Sequence, residues 1–159
     1  MSLLRQSKET YGVEYEKHLF EQYKLYVEMT DRVSTRRMLA NSFFVSVHTV
    51  LIAAFTVMFK EKALQPTLVG LMPFLAVLLL CFVWWRVVHS YKQLNSGKFK
   101  VVHSLEKMLP AAPYDEEWVE LGRGNDSKKY LTLTYIENLV PVCFGLLYAL
   151  LAGSLYLGV

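Results

Sequence analysis

The chain has 159 residues, of which 53% are apolar, and it carries a net charge of only +3. That length allows one compact unit, and so small a basic excess gives no electrostatic case for a nucleic-acid partner. The apolar residues are clustered rather than spread. Three runs, at about residues 39–59, 68–88 and 139–157, reach the roughly 18 apolar residues that mark a membrane span. The first begins too far into the chain, and is too long, to be a cleaved signal peptide. Cys81 and Cys143 both fall inside these runs and read as free, buried thiols rather than a disulfide framework.

Residues 1–38 are charged and aromatic and are expected to form a cytoplasmic amphipathic helix. Leu19, Tyr23, Tyr26, Thr30 and Val33 step by four and three, the spacing of one helix face. Glu21–Lys24 and Glu28–Arg32 are placed to pair along its surface. The segment reads as a helix packed on its own protein, with a helix lying in the lipid interface as the alternative. The same register continues through Arg37, Ala40, Phe44, Val47 and Leu51. The N-terminal helix is therefore expected to run on into the first span as a long rod.

The first span, 39–59, holds no Asp, Glu, Lys or Arg, but it is not uniformly apolar. At about 100° per residue, Asn41, Ser42, Ser46, His48, Thr49, Ala53 and Thr56 fall on one side. Phe43, Phe44, Val47, Val50, Leu51 and Phe55 fall on the other. Hydrocarbon penalises unpaired polar groups, so the polar arc should face protein or water. One chain offers too few helices to enclose both the arc and a water path, which points to several copies packed together.

A short external loop, 60–67, carries only Lys60 and Lys62, whereas Arg32, Arg36 and Arg37 precede the first span and residues 86–133 are rich in Lys and Arg. The positive-inside rule then puts the N-terminus and the long central segment in the cytoplasm. On that topology the Asn125-Asp126-Ser127 sequon is a chance match. The second span, 68–88, ends in Trp84, Trp85 and Arg86, which together with Arg36 and Arg37 read as interfacial anchors.

Beyond it, in the cytoplasmic region 89–133, Tyr91, Leu94, Lys98, Val101, Leu105 and Met108 approximate a coiled-coil seam. Asn95, Ser96 and Gly97 suggest a break, and Pro110 a stop. Lys98, Phe99, Lys100 and His103 read as a solvated face. Asp115 is expected to cap a short helix through Leu121 that Gly122 ends. The third span, 134–159, opens with Thr134-x-x-Glu137, a capping-box pattern. Gly145, Ala149 and Gly153 recur every four residues, which suits close helix packing in lipid.

No catalytic motif emerges: there is no G-x-S-x-G, P-loop, dinucleotide-binding glycine pattern or H-E-x-x-H. Neither a metal nor a cofactor is implied. His48, the single histidine inside a span, either titrates and gates something or hydrogen-bonds Asn41 or a neighbouring helix. Glu137, at the membrane edge, would form an acidic ring if it faced a symmetry axis.

Three stretches carry a resemblance: EQYKLYVEMTDRVSTRRMLANSFF (21–44), WWRVVHSYKQLNSGKFKVVHSLEKMLPAAPYDEEW (84–118) and LTLTYIENLVP (131–141). In order and spacing they resemble the RipA family of bacterial octameric membrane proteins, and the most specific part is 91–106. The resemblance implies a cytoplasmic-membrane homo-octamer and no settled activity. The basic and polar entry into the first span is also similar to two-span effector proteins of bacterial defence systems, which do not account for the third span.

The expectation is an all-α integral membrane protein of the bacterial inner membrane, with three spans, which assembles with itself among membrane lipids and is not an enzyme. Two functions fit. One is a pore or gated conduit for ions or small solutes, serving stress or defence, with Asn41, Ser42, Ser46, His48 and Thr49 lining the path or its helix walls. The other is a non-conducting scaffold or adaptor with the cytoplasmic helices as a docking surface. The direction in which the polar arc points separates them.

Overall fold

The computed structural model describes residues 3–157. Every regular element among them is helical: α1 (Lys8–Tyr11), α2 (Tyr15–Lys60), α3 (Leu68–Glu106), α4 (Pro113–Glu120), a 3-10 turn at Gly122–Gly124, and α5 (Leu133–Leu157). Three of them, α2, α3 and α5, are long and apolar enough to cross a membrane. The N-terminal amphipathic stretch and the first span are one helix of 46 residues.

The chain divides into two compact units, Met1–Arg36 with Tyr91–Thr132, and Arg37–Ser90 with Leu133–Val159. We call them unit one and unit two. Helices α2 and α3 each contribute to both.

In unit two, α2, α3 and α5 close around two apolar clusters. Phe55, Leu64, Phe74, Val77, Cys81 and Tyr148 form one, and Phe44, Trp84 and Val88 the other. On α3 the buried positions Phe74, Val77, Cys81, Trp84 and Val88 step three and four, the spacing that keeps one stripe facing a partner helix. On α2 the buried positions Arg37, Phe44, His48 and Phe55 follow the same rule. This differs from the expected split of the first span. Phe44 and Phe55 lie inward, because they share the buried stripe of Arg37 and His48. Cys143 also departs from expectation. Both thiols are free, but Cys81 is buried and Cys143 is exposed on α5.

In unit one the buried residues are Leu19, Thr30 and Val33 of α2 and Val102, Leu105 and Glu106 of α3. The seam on α3 is displaced by one residue from the expected one in its middle. Leu94 is exposed, while Val102 is buried in place of Val101. Counting three and four onward from Val88 gives Tyr91, Asn95, Lys98, Val102 and Leu105. Helix α3 passes through Asn95–Ser96–Gly97 without a break, since packing overrides weak local propensity. On α2, Glu28 and Arg32 pair at 2.6 Å, and Lys24 lies over the Phe20 ring.

Helix α4 begins at Pro113, with Ala112 and not Asp115 at its N-cap. Gly122 ends it with φ +66°, and Arg123 and Gly124 stay left-handed at +53° and +69°. This turn folds back on Trp118. A Cβ on Gly124 would stand 2.9 Å from the indole Cη2. Gly124→Ala is therefore expected to destabilise the protein by about 1–3 kcal/mol and lower its thermal midpoint. Gly97→Ala, in a helix where a Cβ meets nothing within 4 Å, should be neutral or stabilising by about 0.5–1 kcal/mol. Equal midpoints for the two variants would refute this account of the turn.

Candidate functional site

The polar arc of α2 is divided between the inside and the outside of unit two. Asn41 and His48 point inward. The Trp84 indole N–H donates to Asn41 Oδ1 at 2.9 Å. His48 is fully buried, its ring stacked near-parallel on Trp84 with centroids 5.5 Å apart and tilted against Phe144. Its Nδ1 lies 3.1 Å from the Tyr148 hydroxyl, and its Nε2 lies 3.8 Å from Cys81 Sγ.

The Tyr148 hydroxyl donates to the His48 backbone carbonyl at 3.2 Å. Because that hydroxyl has one proton, its oxygen is left to accept from Nδ1–H, and Nε2 then accepts from the Cys81 thiol. With the Tyr148 proton given to the carbonyl, a neutral ring carries its own proton on Nδ1.

The rest of the arc faces outward. Ser42, Ser46, Thr49, Ala53 and Thr56 are exposed on unit two. Three of the hydroxyls donate one turn back: Ser46 to the Ser42 carbonyl, Thr49 to Val45 and Thr56 to Ile52, at 2.8–2.9 Å. With its donor used locally, such a side chain tolerates an apolar surrounding and stays slender.

At one end of α5, Glu137 does not stand free. It pairs with Arg37 of α2, whose guanidinium also donates to Thr134 Oγ1 at 2.8 Å. Thr134 lies inside α5, so Thr134 and Glu137 converge on Arg37 instead of forming a capping box. Both partners are largely buried, with side chains 9% and 14% exposed. Of the expected anchors, Arg36 and Arg86 are exposed, and Trp85 is half-buried and stacks on His89. Arg37 and Trp84 are internal, taken up by Glu137 and Asn41. Along α5, Ala149 is exposed. A Cβ on Gly145 would only touch Leu78, and one on Gly153 would meet nothing within 4 Å.

Unit one holds a site that sequence reasoning missed. Glu106, the last residue of α3, is 1% exposed. Its carboxylate accepts from the Tyr23 hydroxyl at 3.1 Å and from the backbone N–H groups of Tyr114 and Asp115 at 3.0 and 3.1 Å. It thus caps α4 from outside, where Ala112 supplies no side chain. His103 Nδ1 lies 3.4 Å from the same carboxylate. Burial, then the bond and charge of Glu106, push the Tyr23 phenol up to about 12. No spacing rule ties Glu106 to Tyr23, 83 residues away. Two hollows in unit one, of about 210 and 120 Å³, are smaller than the roughly 300–1,000 Å³ of ordinary ligand pockets. Among the described residues no metal-binding set gathers.

A family model described as the octameric membrane protein family (8xMP) matches residues 20–157. The chain belongs to that family. It is therefore a multi-pass membrane protein that self-associates as a homo-oligomer. No curated protein and no solved structure matches it.

Two variants probe these contacts. Arg37→Ala leaves Glu137 buried without its partner and should destabilise the protein by about 3–5 kcal/mol, whereas Arg37→Met with Glu137→Leu should be near neutral. Chemical denaturation in detergent measures both, and equal losses would show that the pair is not coupled. For Tyr23 the sign follows from its raised folded-state value. Its contribution to stability is full below the unfolded value of 10.0 and is lost as pH rises through about 12. Tyr23→Phe should flatten that alkaline loss. A wild-type denaturation profile with no decline over this range would contradict it.

Proposed function

We propose that this protein is a non-conducting scaffold of the bacterial inner membrane, a homo-oligomer with its N-terminus in the cytoplasm and unit one as the surface that other proteins meet. The observation that carries the reading is the closure of the polar network inside each subunit. Asn41 is taken by Trp84, and His48 by Tyr148 and Cys81. The two side chains best suited to line a water path are thereby used up between helices of one chain. The orientation rests on the cluster Arg32, Arg36 and Arg37 before the first span, against Lys60 and Lys62 after it.

A second reading, a conduit for ions or small solutes, is favoured by one observation. Ser42, Ser46, Thr49 and Thr56 keep their small hydroxyl side chains outward, where copies arranged about an axis would bring them together.

Reconstitution of the purified oligomer into planar bilayers, with its axis imaged in a lipid nanodisc, distinguishes the two. The scaffold reading expects no current above the bare-lipid baseline and an axis closed by apolar side chains or filled with lipid. Discrete unitary currents that change when Thr49 is replaced by Val would overturn it in favour of the conduit. Replacing Asn41 and His48 together with Leu is expected to leave conductance where it was and to lower the thermal midpoint.

A further inference from the structure

The three helices of unit two present unlike outer faces. The exposed face of α3 is large and apolar, with Met72, Leu75, Leu79 and Phe82 each 45–66% exposed, the chemistry of a surface that meets acyl chains. The exposed face of α2 carries Ser42, Ser46, Thr49, Ala53 and Thr56. Lipid gains nothing from these short side chains, whereas a second helix gains a close approach over them. On α5, Ala149 is exposed and Gly145 and Gly153 are at most loosely covered. Membership of an octameric family requires that some outer faces of this chain be covered by other copies of it.

A register within unit two decides which residues are level. Helices α2 and α5 run parallel, and two polar contacts bind them at the same offset. Arg37 meets Glu137, and His48 meets Tyr148. Both pairs differ by 100 residues, and both helices rise equally per residue. Thr49 therefore lies level with Ala149, and Ala53 level with Gly153. Copies related by rotation about the membrane normal keep every residue at its own depth. Identical subunits in a ring also meet through two different faces.

We propose that the outward hydroxyl face of α2 packs on the Gly145–Ala149–Gly153 face of α5 in a neighbouring copy, Thr49 against Ala149 and Ala53 against Gly153, and that α3 faces lipid. The occupant of each face is a second copy of this chain. The proposal rests on the scaffold reading in one respect, that the hydroxyl face is dry, and it deepens that reading by naming the contact.

The test uses full-length chains with Cys81→Ser and Cys143→Ala, one further carrying Thr49→Cys and the other Ala149→Cys. The two are co-assembled in membranes and oxidised with copper phenanthroline. A covalent dimer is expected with both chains present and with neither chain alone. Dimers from the Thr49→Cys chain alone would mean that like faces meet. Equal yield when Leu79→Cys replaces Thr49→Cys would mean that α3 is in the interface. No link in an assembly of native mass would mean that these faces do not touch. Each of these three results overturns the proposal.

If a cysteine chain fails to assemble, Ala149→Trp is expected to split the oligomer on sizing while Leu79→Trp leaves it whole, and the reverse overturns the proposal. The two readings fail separately. A water-soluble maleimide that labels Thr49→Cys in the intact assembly defeats both. An unlinked and unlabelled Thr49→Cys defeats the interface alone. Unitary currents with the link intact defeat the scaffold and uphold the interface.

Discussion

Hydrocarbon offers no hydrogen-bond partner, so every polar side chain in the membrane stretch of α2 has to be satisfied by protein. The helix does this in two ways. Asn41 and His48 are long enough to reach across to Trp84, Tyr148 and Cys81, and they occupy the interior of the subunit. Ser46, Thr49 and Thr56 are too short to reach another helix and turn back on their own carbonyls. The interior pairs fix how α2, α3 and α5 sit within unit two, because each bond joins two helices at one height. Such bonds are individually weak, about 0.6 kcal/mol on average in a membrane. Their effect is on register more than on total stability. The flat stacking of Phe44 and His48 on Trp84 adds area to the same layer.

The architecture was largely legible in the sequence, because apolar run length and a three–four spacing survive without knowledge of partners. The spans and the continuous helix from Tyr15 to Lys60 follow from those two signals. The polar arc was legible as an arc but not as two halves. A helical wheel sorts residues by angle, and Asn41 and Ser42, about 100° apart, fall within one broad arc. Which edge of the arc turns inward depends on where α3 and α5 place Trp84 and Tyr148. The same limit explains Trp84 and Arg37. An aromatic or an arginine at the end of a span is usually interfacial, and here each finds an internal partner that lies far along the chain. Trp84 is separated from Asn41 by 43 residues, and Arg37 from Glu137 by 100.

Glu106 shows the same principle where no membrane is invoked. A buried carboxylate costs several kcal/mol of desolvation unless its lone pairs are met. Here two backbone N–H groups and a phenol meet them. The bonds tie α2, α3 and α4 to one residue. In exchange, α4 receives the cap that Ala112 lacks. No local pattern announces such a residue. A glutamate ahead of a proline-rich turn reads as a solvated helix end, and only the fold brings Tyr23 and the α4 amides to it.

Within the spans, the pattern of polar groups separates contacts inside a subunit from contacts between subunits by the length of the side chain. Residues that reach, such as Asn41, His48 and Tyr148, hold one chain together. Residues that do not reach, such as Ser46, Thr49 and Ala149, lie where another backbone can come close. A subunit built in this way presents shallow faces of matching depth on α2 and α5, because Arg37–Glu137 and His48–Tyr148 have already set those two helices level. In the proposed packing, the register that completes the subunit is also the register in which copies meet. A shift of one turn in α5 would break both interior pairs and move Ala149 out of line with Thr49. In that packing, the pairing inside each chain and the assembly of several chains are constrained by the same few residues.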